Sequence, residues 1–348
     1  MIQVALWTAG SLLLIQLLLL VYILISKSSQ ARFEKKVEDV QLKVQAKYLS
    51  YISGDAAIEP RLPKSEKIHV EVLERLLNGV ADNTASPFEK KRIQEIAQTH
   101  LSTIYQTKLT ESSWADRINA LYFIEEFMLI DLKEKVWEHL LSLRHEDEEY
   151  RQTLKVLASL QDERMINYIV QQGEIPIGLT KELFRRFTPN SFHRLLTELE
   201  KKDQLVPESI ELAFIDYCGE SGNYEFLSFI EKKIDDSRKE VRLRALRSLC
   251  QYQYCTDTTW IRRFFVSEQW EERMYAAKLT GIMTLTEYND DLVFLAGDQI
   301  WWVRFAACDA IKKVPDGEIL LEYISTHHED TYARDMAQQT LTMREGHL

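Results

Sequence analysis

The sequence predicts an all-α protein in which a solenoid of helical hairpins follows one transmembrane helix. Three observations lead to this prediction. A pattern centred on arginine recurs with a period of about thirty residues. A long apolar stretch without charged side chains lies at the N-terminus. Glycine and proline are sparse, with 11 and 7 residues, which suits a chain of continuous short helices.

The repeated pattern is clearest in Ile300–Ile311, where Trp301 lies three residues before Arg304 and Ala307 three residues after it. Similar or weaker copies place the equivalent positions at 117, 151, 182, 211, 242, 273, 304 and 334. A near-fixed period of this length is typical of a solenoid, in which each hairpin buries its apolar face by stacking on its neighbours.

The apolar residues of each copy have helical spacing. In the copy just described they are Val303, Ala306, Ala307 and Ala310, and a second apolar run precedes the next copy. Each copy is therefore predicted to be two short antiparallel helices, whose small alanines allow close approach. Equivalent aromatic residues at the start of three copies are expected to pack in the core or between hairpins: Trp114, Trp270 and Trp301.

The spacing of Asp298, Val303, Arg304 and Ala307 resembles that of HEAT repeats of the short bacterial type, and the resemblance extends over about residues 85–348. It implies a right-handed α-solenoid and a protein-binding mode rather than an activity. It also implies that acidic and arginine residues of neighbouring repeats form a structural ladder. The ladder residues implied in this way are Asp236, Arg242, Arg273, Asp298, Arg304 and Arg334.

The N-terminal stretch Ile2–Ile25 contains no charged side chain. As a helix it would be roughly 36 Å long, enough to cross a hydrocarbon core of about 30 Å. Trp7 and Tyr22 lie near its ends, where interfacial aromatic residues belong. A cleaved signal peptide is the alternative, but it would have a basic residue before a shorter apolar run, and none precedes Lys27. The pattern favours a membrane anchor.

The charges that flank this stretch predict its orientation. Lys27, Arg32, Lys35 and Lys36 follow it, so the positive-inside rule places residues 26–348 in the cytoplasm. We therefore expect a single-pass plasma-membrane protein whose N-terminus is outside. Four cysteines without CxxC spacing agree with buried thiols in a reducing compartment.

The segment after the anchor leaves two alternatives open. Five residues of heptad-like spacing form either a short coiled coil in a homodimer or a face that packs on the same chain, and the second is favoured: Phe33, Val37, Val40, Val44 and Tyr48. The predicted divisions are a transmembrane helix at 2–25, a juxtamembrane helix at 26–53, a linker at 54–64, capping helices at 65–109 and repeats at 110–348.

The sequence carries no P-loop, dinucleotide-binding, nucleophile-elbow or HExxH motif, so we expect neither an enzyme nor a cofactor. Gly219–Gly222 and His327–Asp330 are interpreted as turns between helices rather than as sites. The net charge of −11 argues against binding of nucleic acid.

Two features are candidates for partner binding. Trp302 breaks the repeat pattern beside Trp301 and should be exposed, as aromatic hot-spot residues often are. A basic cluster could bind an acidic partner or a phosphate group, or could be a solvated face neutralised by nearby acids: Arg238, Lys239, Arg244 and Arg247.

These features together predict a non-enzymatic, membrane-tethered scaffold or adaptor that binds proteins through its repeats. We expect its partners to belong to a membrane-bound enzyme or signalling complex. One alternative is an enzyme resembling the HEAT-like DNA glycosylases or bilin lyases, although the acidic balance and the anchor disfavour these. A second alternative is a structural subunit that acts through its transmembrane helix.

Overall fold

The computed structural model describes residues 2–81, 86–144, 146–172, 175–201 and 206–343, and in these residues the chain is all-helical. Within them are eighteen α-helices, three short 3-10 helices and no strand, which confirms the predicted all-α class. The helices are α1 (Ile2–Ser53), α2 (Glu66–Ala81), α3 (Pro87–Glu111), α4 (Trp114–Glu126), α5 (Lys133–Ser142), α6 (Glu148–Ser159), α7 (Arg164–Gln171), α8 (Ile177–Phe184), α9 (Pro189–Glu200), α10 (Glu208–Ser221), α11 (Leu227–Lys233), α12 (Lys239–Tyr252), α13 (Ile261–Phe265), α14 (Trp270–Ile282), α15 (Asn289–Ala296), α16 (Trp301–Lys313), α17 (Gly317–His327) and α18 (Thr331–Thr342).

Helix α1 is long and apolar enough to cross a membrane. The apolar part of its described side chains begins at Leu12, reaches a mean hydropathy of 2.1 and is not buried against the rest of the protein. The helix continues without a break past residue 25 to Ser53. The predicted transmembrane and juxtamembrane segments are therefore two parts of one helix.

The part of α1 that follows the apolar stretch packs on its own chain. Val37, Tyr48 and Ile52 are buried, and α1 contacts α2 and α3. Arg75 of α2 pairs with Glu34 of α1 at 2.6 Å. Residues of the heptad-like pattern thus contribute to an intramolecular core, which favours the second of the two alternatives for this segment.

The repeat period corresponds to an alternation of helices. All eight equivalent positions, from 117 to 334, fall on the even-numbered helices α4 to α18, and the odd-numbered helices lie between them. In α16 the predicted apolar face, Val303, Ala306, Ala307 and Ala310, is buried. Residues 344–348, at the end of the predicted repeat region, lie outside the described residues.

The contacts divide the chain into two compact units, Met1–Met165 and Ile166–Leu348, so that the division falls inside α7. In the first unit, α2 and α3 join α1 to α4, and α4 and α5 pack on α6. In the second unit each even-numbered helix packs on the next, from α8 through α10, α12, α14 and α16 to α18. The odd-numbered helices α11, α13, α15 and α17 each pack on the even-numbered helix that follows them.

Small residues set the distance between successive even-numbered helices. A Cβ on Gly281 of α14 would lie 2.6 Å from Cα of Ala310 in α16, and one on Gly219 of α10 would lie 2.8 Å from Cα of Ser248 in α12. The prediction of a turn at Gly219–Gly222 is therefore wrong in its first part. Helix α10 continues through Gly219 because the glycine permits this close approach, and only Gly222, with φ of 61°, ends the helix.

Candidate functional site

In five of the eight even-numbered helices from α4 to α18, the repeated arginine binds backbone carbonyls of the loop before the helix, a contact that we call the arginine staple. Arg273 donates from Nη1 to the carbonyl oxygens of Ser267 and Glu268, six and five residues earlier, at 2.7 and 3.4 Å. Arg242, Arg304 and Arg334 make the same pair of bonds, and Arg117 makes one of the two, to Ser112. The same geometry therefore recurs in copies that span both units.

The other edge of the guanidinium reaches the next hairpin in three copies. Arg273 binds both carboxylate oxygens of Asp298 at 2.6 and 3.0 Å. Arg242 binds Glu272 at 2.8 Å, and Arg117 binds Glu149 at 2.5 and 2.8 Å. The acids lie at different positions of their hairpins: Asp298 precedes α16, whereas Glu272 and Glu149 lie inside α14 and α6.

Two ladder residues implied by the resemblance have other partners. The carboxylate of Asp236 accepts from Nε and Nη2 of Arg238 at 2.9 and 2.8 Å, not from Arg242. These bonds lower the pKa of Asp236 to about 2. Arg304 has no carboxylate partner among the described residues. Its Nε is buried without a hydrogen bond, and its guanidinium lies over the ring of Tyr332, 5.3 Å from the centroid.

The predicted basic cluster is largely neutralised. Lys239 pairs with Glu271 at 3.0 Å. Arg238 pairs with Asp236 and Glu211, and Arg244 pairs with Asp216 and Glu240. Within the part of the chain that the structure describes, Arg247 is exposed and lacks an ion pair. Arg247 is thus the one cation of this cluster without an ion pair among the described residues. The role of the cluster in binding an acidic partner stays a prediction.

None of the three tryptophans at the start of the repeats is fully buried, so a place in the core is wrong for them, whereas packing between hairpins stays a prediction. Trp114 and Trp301 are 49% and 43% exposed, whereas Trp270 is half-buried, and each of the three is the first residue of its helix. The ring of Trp301 stacks on that of Phe305, with 5.2 Å between the ring centroids, and makes an edge contact with the ring of Trp302, with 4.7 Å between the centroids. Trp302 itself is 56% exposed.

Two grooves of similar size lie at equivalent places in the two units. One of about 660 Å³ is lined by Trp114, Arg117 and Glu149. The other, of about 650 Å³, is lined by Trp270, Arg273 and Asp298, together with apolar residues of the adjacent helices and loops. In both, an aromatic residue that starts an even-numbered helix lies beside a carboxylate-paired arginine, so the groove is a product of the repeat.

The first groove contains a buried cluster that sequence reasoning missed. Nε2 of His139 lies 2.8 Å from Oε1 of Glu149, which also binds Arg117. Burial lowers the pKa of His139. Burial alone would raise the pKa of Glu149, but the hydrogen bonds from Arg117 outweigh it and hold that pKa below its usual value. A carboxylate held in this way accepts protons poorly, so the cluster has the character of a structural ion pair. The only feature of the sequence that indicates this cluster is the position of Glu149 about one repeat after Arg117.

The thiols have no feature of a reactive site. Cys218, Cys255 and Cys308 are buried, and all four cysteines are free. Burial raises the pKa of Cys255 to about 11 and that of Cys308 to about 12, so both stay protonated at neutral pH. Among the described residues, no group of three histidine, cysteine or acidic side chains could hold a metal ion.

Comparison with protein-family models and with curated proteins gives no match to this sequence. The resemblance to HEAT repeats therefore rests on the spacing of residues such as Asp298, Arg304 and Ala307 alone. The geometry offers a repeated arginine staple, an exposed aromatic edge and a long apolar helix.

Proposed function

We propose that the protein is a non-enzymatic, membrane-tethered scaffold that binds protein partners through a right-handed α-solenoid of HEAT-like repeats. Its N-terminal helix lies in the plasma membrane with the N-terminus outside, and residues 26–348 are cytoplasmic. The partners belong to a membrane-bound enzyme or signalling complex. The observation that carries the proposal is the arginine staple, which four copies make with the same two backbone carbonyls.

The staple supports a repeat architecture because it fixes helices α12, α14, α16 and α18 in the same way, each relative to the loop before it. The pairs Arg242–Glu272 and Arg273–Asp298 then join neighbouring hairpins. The series of contacts from α8 to α18 has the nearest-neighbour character of repeat proteins, in which each hairpin buries its apolar face on the next.

The continuity of α1 supports an anchor rather than a cleaved leader. The same helix that carries the apolar stretch supplies Val37, Tyr48 and Ile52 to the core of the first unit. Basic residues follow the apolar stretch, which supports a cytoplasmic location for the remainder. An anchor of this kind raises the local concentration of bound partners at the membrane.

The scaffold proposal is tested by exchanging Ile2–Ile25 for an unrelated transmembrane span and isolating the protein with its partners in mild detergent. Residues 26–53 are kept, because their removal would uncover the faces of α2 and α3 that pack on α1. We expect the same partners with either span. Loss of the partners on exchange would contradict the scaffold and support the structural-subunit alternative.

The orientation is tested by labelling Lys36→Cys with a membrane-impermeant maleimide in intact and in permeabilised cells. Lys36 is exposed, whereas Cys218, Cys255 and Cys308 are buried and react slowly. We expect labelling of Lys36→Cys above the unsubstituted chain only after permeabilisation. Equal labelling in intact cells would contradict the cytoplasmic location.

A further inference from the structure

The second groove exposes apolar side chains to solvent. Its wall includes Val266, Trp270, Phe294 and Ile300, and the side chains of Val266 and Phe294 are 74% and 67% exposed. Grouped apolar side chains in solvent, unlike single ones, mark surfaces that bind another molecule. This groove is one such group, because residues of helices α13, α14 and α15 and of the loops before α14 and α16 meet in it.

Two tryptophans directly follow Ile300 of the groove wall in the chain. Trp302 is exposed, and its neighbour Trp301 is held by stacking on Phe305 at an interplanar angle of 8°. The edge contact of Trp301 with Trp302, at 87°, restrains the second ring as well. Aromatic rings that are positioned before binding lose little conformational freedom, so they are effective anchors for a partner.

The chain segment that begins at Val266 and contains this surface is acidic. Residues 266–343 contain fourteen acidic and six basic residues, a formal charge of −8 out of −11 for the whole chain. The cation in the groove, Arg273, is neutralised by Asp298, whereas Glu268 is exposed and has no ion pair among the described residues. A negative field next to aromatic rings attracts cationic groups, which also interact favourably with the ring faces.

We propose that the surface formed by Val266, Trp270, Phe294, Ile300 and Trp302 binds a short cationic segment of a protein partner. The segment carries at least one large apolar side chain, which fills the groove. Its lysine or arginine side chains are drawn to the face of Trp302 and to the carboxylate of Glu268. The inference rests on the proposed scaffold function and specifies the chemistry of the partner.

The negative charge also favours a cationic protein segment over other possible ligands of this surface. Anionic lipid headgroups and nucleic acid would be repelled by a formal charge of −8 over 78 residues. An acidic partner would be repelled in the same way. A cationic protein segment with a large apolar side chain is complementary both to the apolar wall of the groove and to the negative charge.

The test is an unbiased selection from a library of random 16-residue peptides displayed on phage, against the full-length protein in lipid nanodiscs. We expect the enriched peptides to carry net positive charge and a large apolar residue. For a synthesised peptide, Trp302→Ala should raise Kd about tenfold or more. Glu268→Gln should raise it about threefold and weaken its dependence on salt. Trp114→Ala, which removes a similarly exposed tryptophan that also starts a helix, should leave Kd unchanged.

The inference would be overturned by no enrichment, by enrichment of neutral or acidic peptides, or by equal binding to Trp302→Ala. A dimer that Trp302→Ala converts to a monomer would show that a second copy occupies the surface, and would also overturn it. Failure here is distinguishable from failure of the scaffold. If the partners still bind after exchange of the transmembrane span but no cationic peptide is selected, the scaffold proposal is supported and only this inference is contradicted.

Discussion

Arg273 binds both oxygens of Asp298, which lies 25 residues later in the chain, and so joins α14 to the loop before α16. The same carboxylate accepts the backbone N–H of Ile300 at 2.8 Å. Both side chains are largely buried. A charge in such a position is tolerated only while its partner and hydrogen bonds are present.

We therefore expect Asp298→Ala to lower the free energy of unfolding by about 3 kcal/mol, because it leaves the guanidinium of Arg273 buried without its carboxylate. Urea unfolding followed by the helical circular-dichroism signal measures the change. The control is Asp309→Ala, which removes an exposed pair with Lys313 on one helix and should cost less than about 0.5 kcal/mol. Equal costs for the two variants would show that the ladder does not stabilise the fold.

The close approach of α14 and α16 predicts a second effect on stability. Gly281→Ala places a Cβ within 2.6 Å of the backbone of Ala310, so we expect a loss of about 1–3 kcal/mol from overpacking. Gly79→Ala is the matched control, since a Cβ there meets nothing within 4 Å and should stabilise α2 by about 0.5–1 kcal/mol. Differential scanning calorimetry of the two variants measures both signs. A stabilising effect of Gly281→Ala would contradict the close helix contact.

The burial of His139 predicts that the free energy of unfolding depends on pH. Burial lowers its pKa in the folded protein below the value near 6.5 of the unfolded chain. Between these two values the unfolded chain binds a proton that the folded protein does not, so the free energy of unfolding falls as pH drops below about 6.5. The slope for one such site is at most about 1.4 kcal/mol per pH unit.

His139→Gln should flatten this slope in urea unfolding at a series of pH values from 7 to 5. His193 is the control of opposite sign. The carbonyl of Pro189 and the carboxylate of Glu225 raise its pKa in the folded protein. Protonated His193 therefore stabilises the fold below about pH 6.5, and this stabilisation is lost as the pH rises. His193→Gln should therefore steepen the loss of stability in acid. An unchanged slope in His139→Gln would show that this histidine takes up its proton equally in both states.

Local patterns predicted the helices well, whereas contacts between distant residues were predictable only in part. The apolar spacing of Val303, Ala306 and Ala307 matches their burial, because helical periodicity alone decides which face is covered. The partner of Arg242 was not predictable in this way. Its carboxylate partner is Glu272 rather than Asp236, because a guanidinium that projects from a helix can reach a carboxylate either in a loop or on the next helix.

The exposed aromatic edge was missed for a related reason. Repeat-equivalent tryptophans resemble core residues in sequence, but Trp114 and Trp301 are the first residues of their helices. Trp270 also begins its helix but is half-buried, so the exposure of each ring depends on its contacts with neighbouring hairpins, which the spacing does not reveal. The break of the pattern at Trp302 was the one signal of this surface in the sequence.

The burial of Tyr48 allows intramolecular packing of α1 to be distinguished from a coiled-coil dimer. Tyr48 is buried, and its hydroxyl donates to the carbonyl oxygen of Pro60 at 3.0 Å. Tyr48→Ala should therefore cost about 3–5 kcal/mol, independent of protein concentration, because the cavity forms inside one chain. Leu42→Ala, on the exposed face of the same helix, should change the stability by less than about 0.5 kcal/mol. Urea unfolding at two protein concentrations, together with the mass of the particle in detergent, measures both effects. A loss of stability that grows on dilution, with a dimer that dissociates in Tyr48→Ala, would instead show that residues 31–53 join two copies.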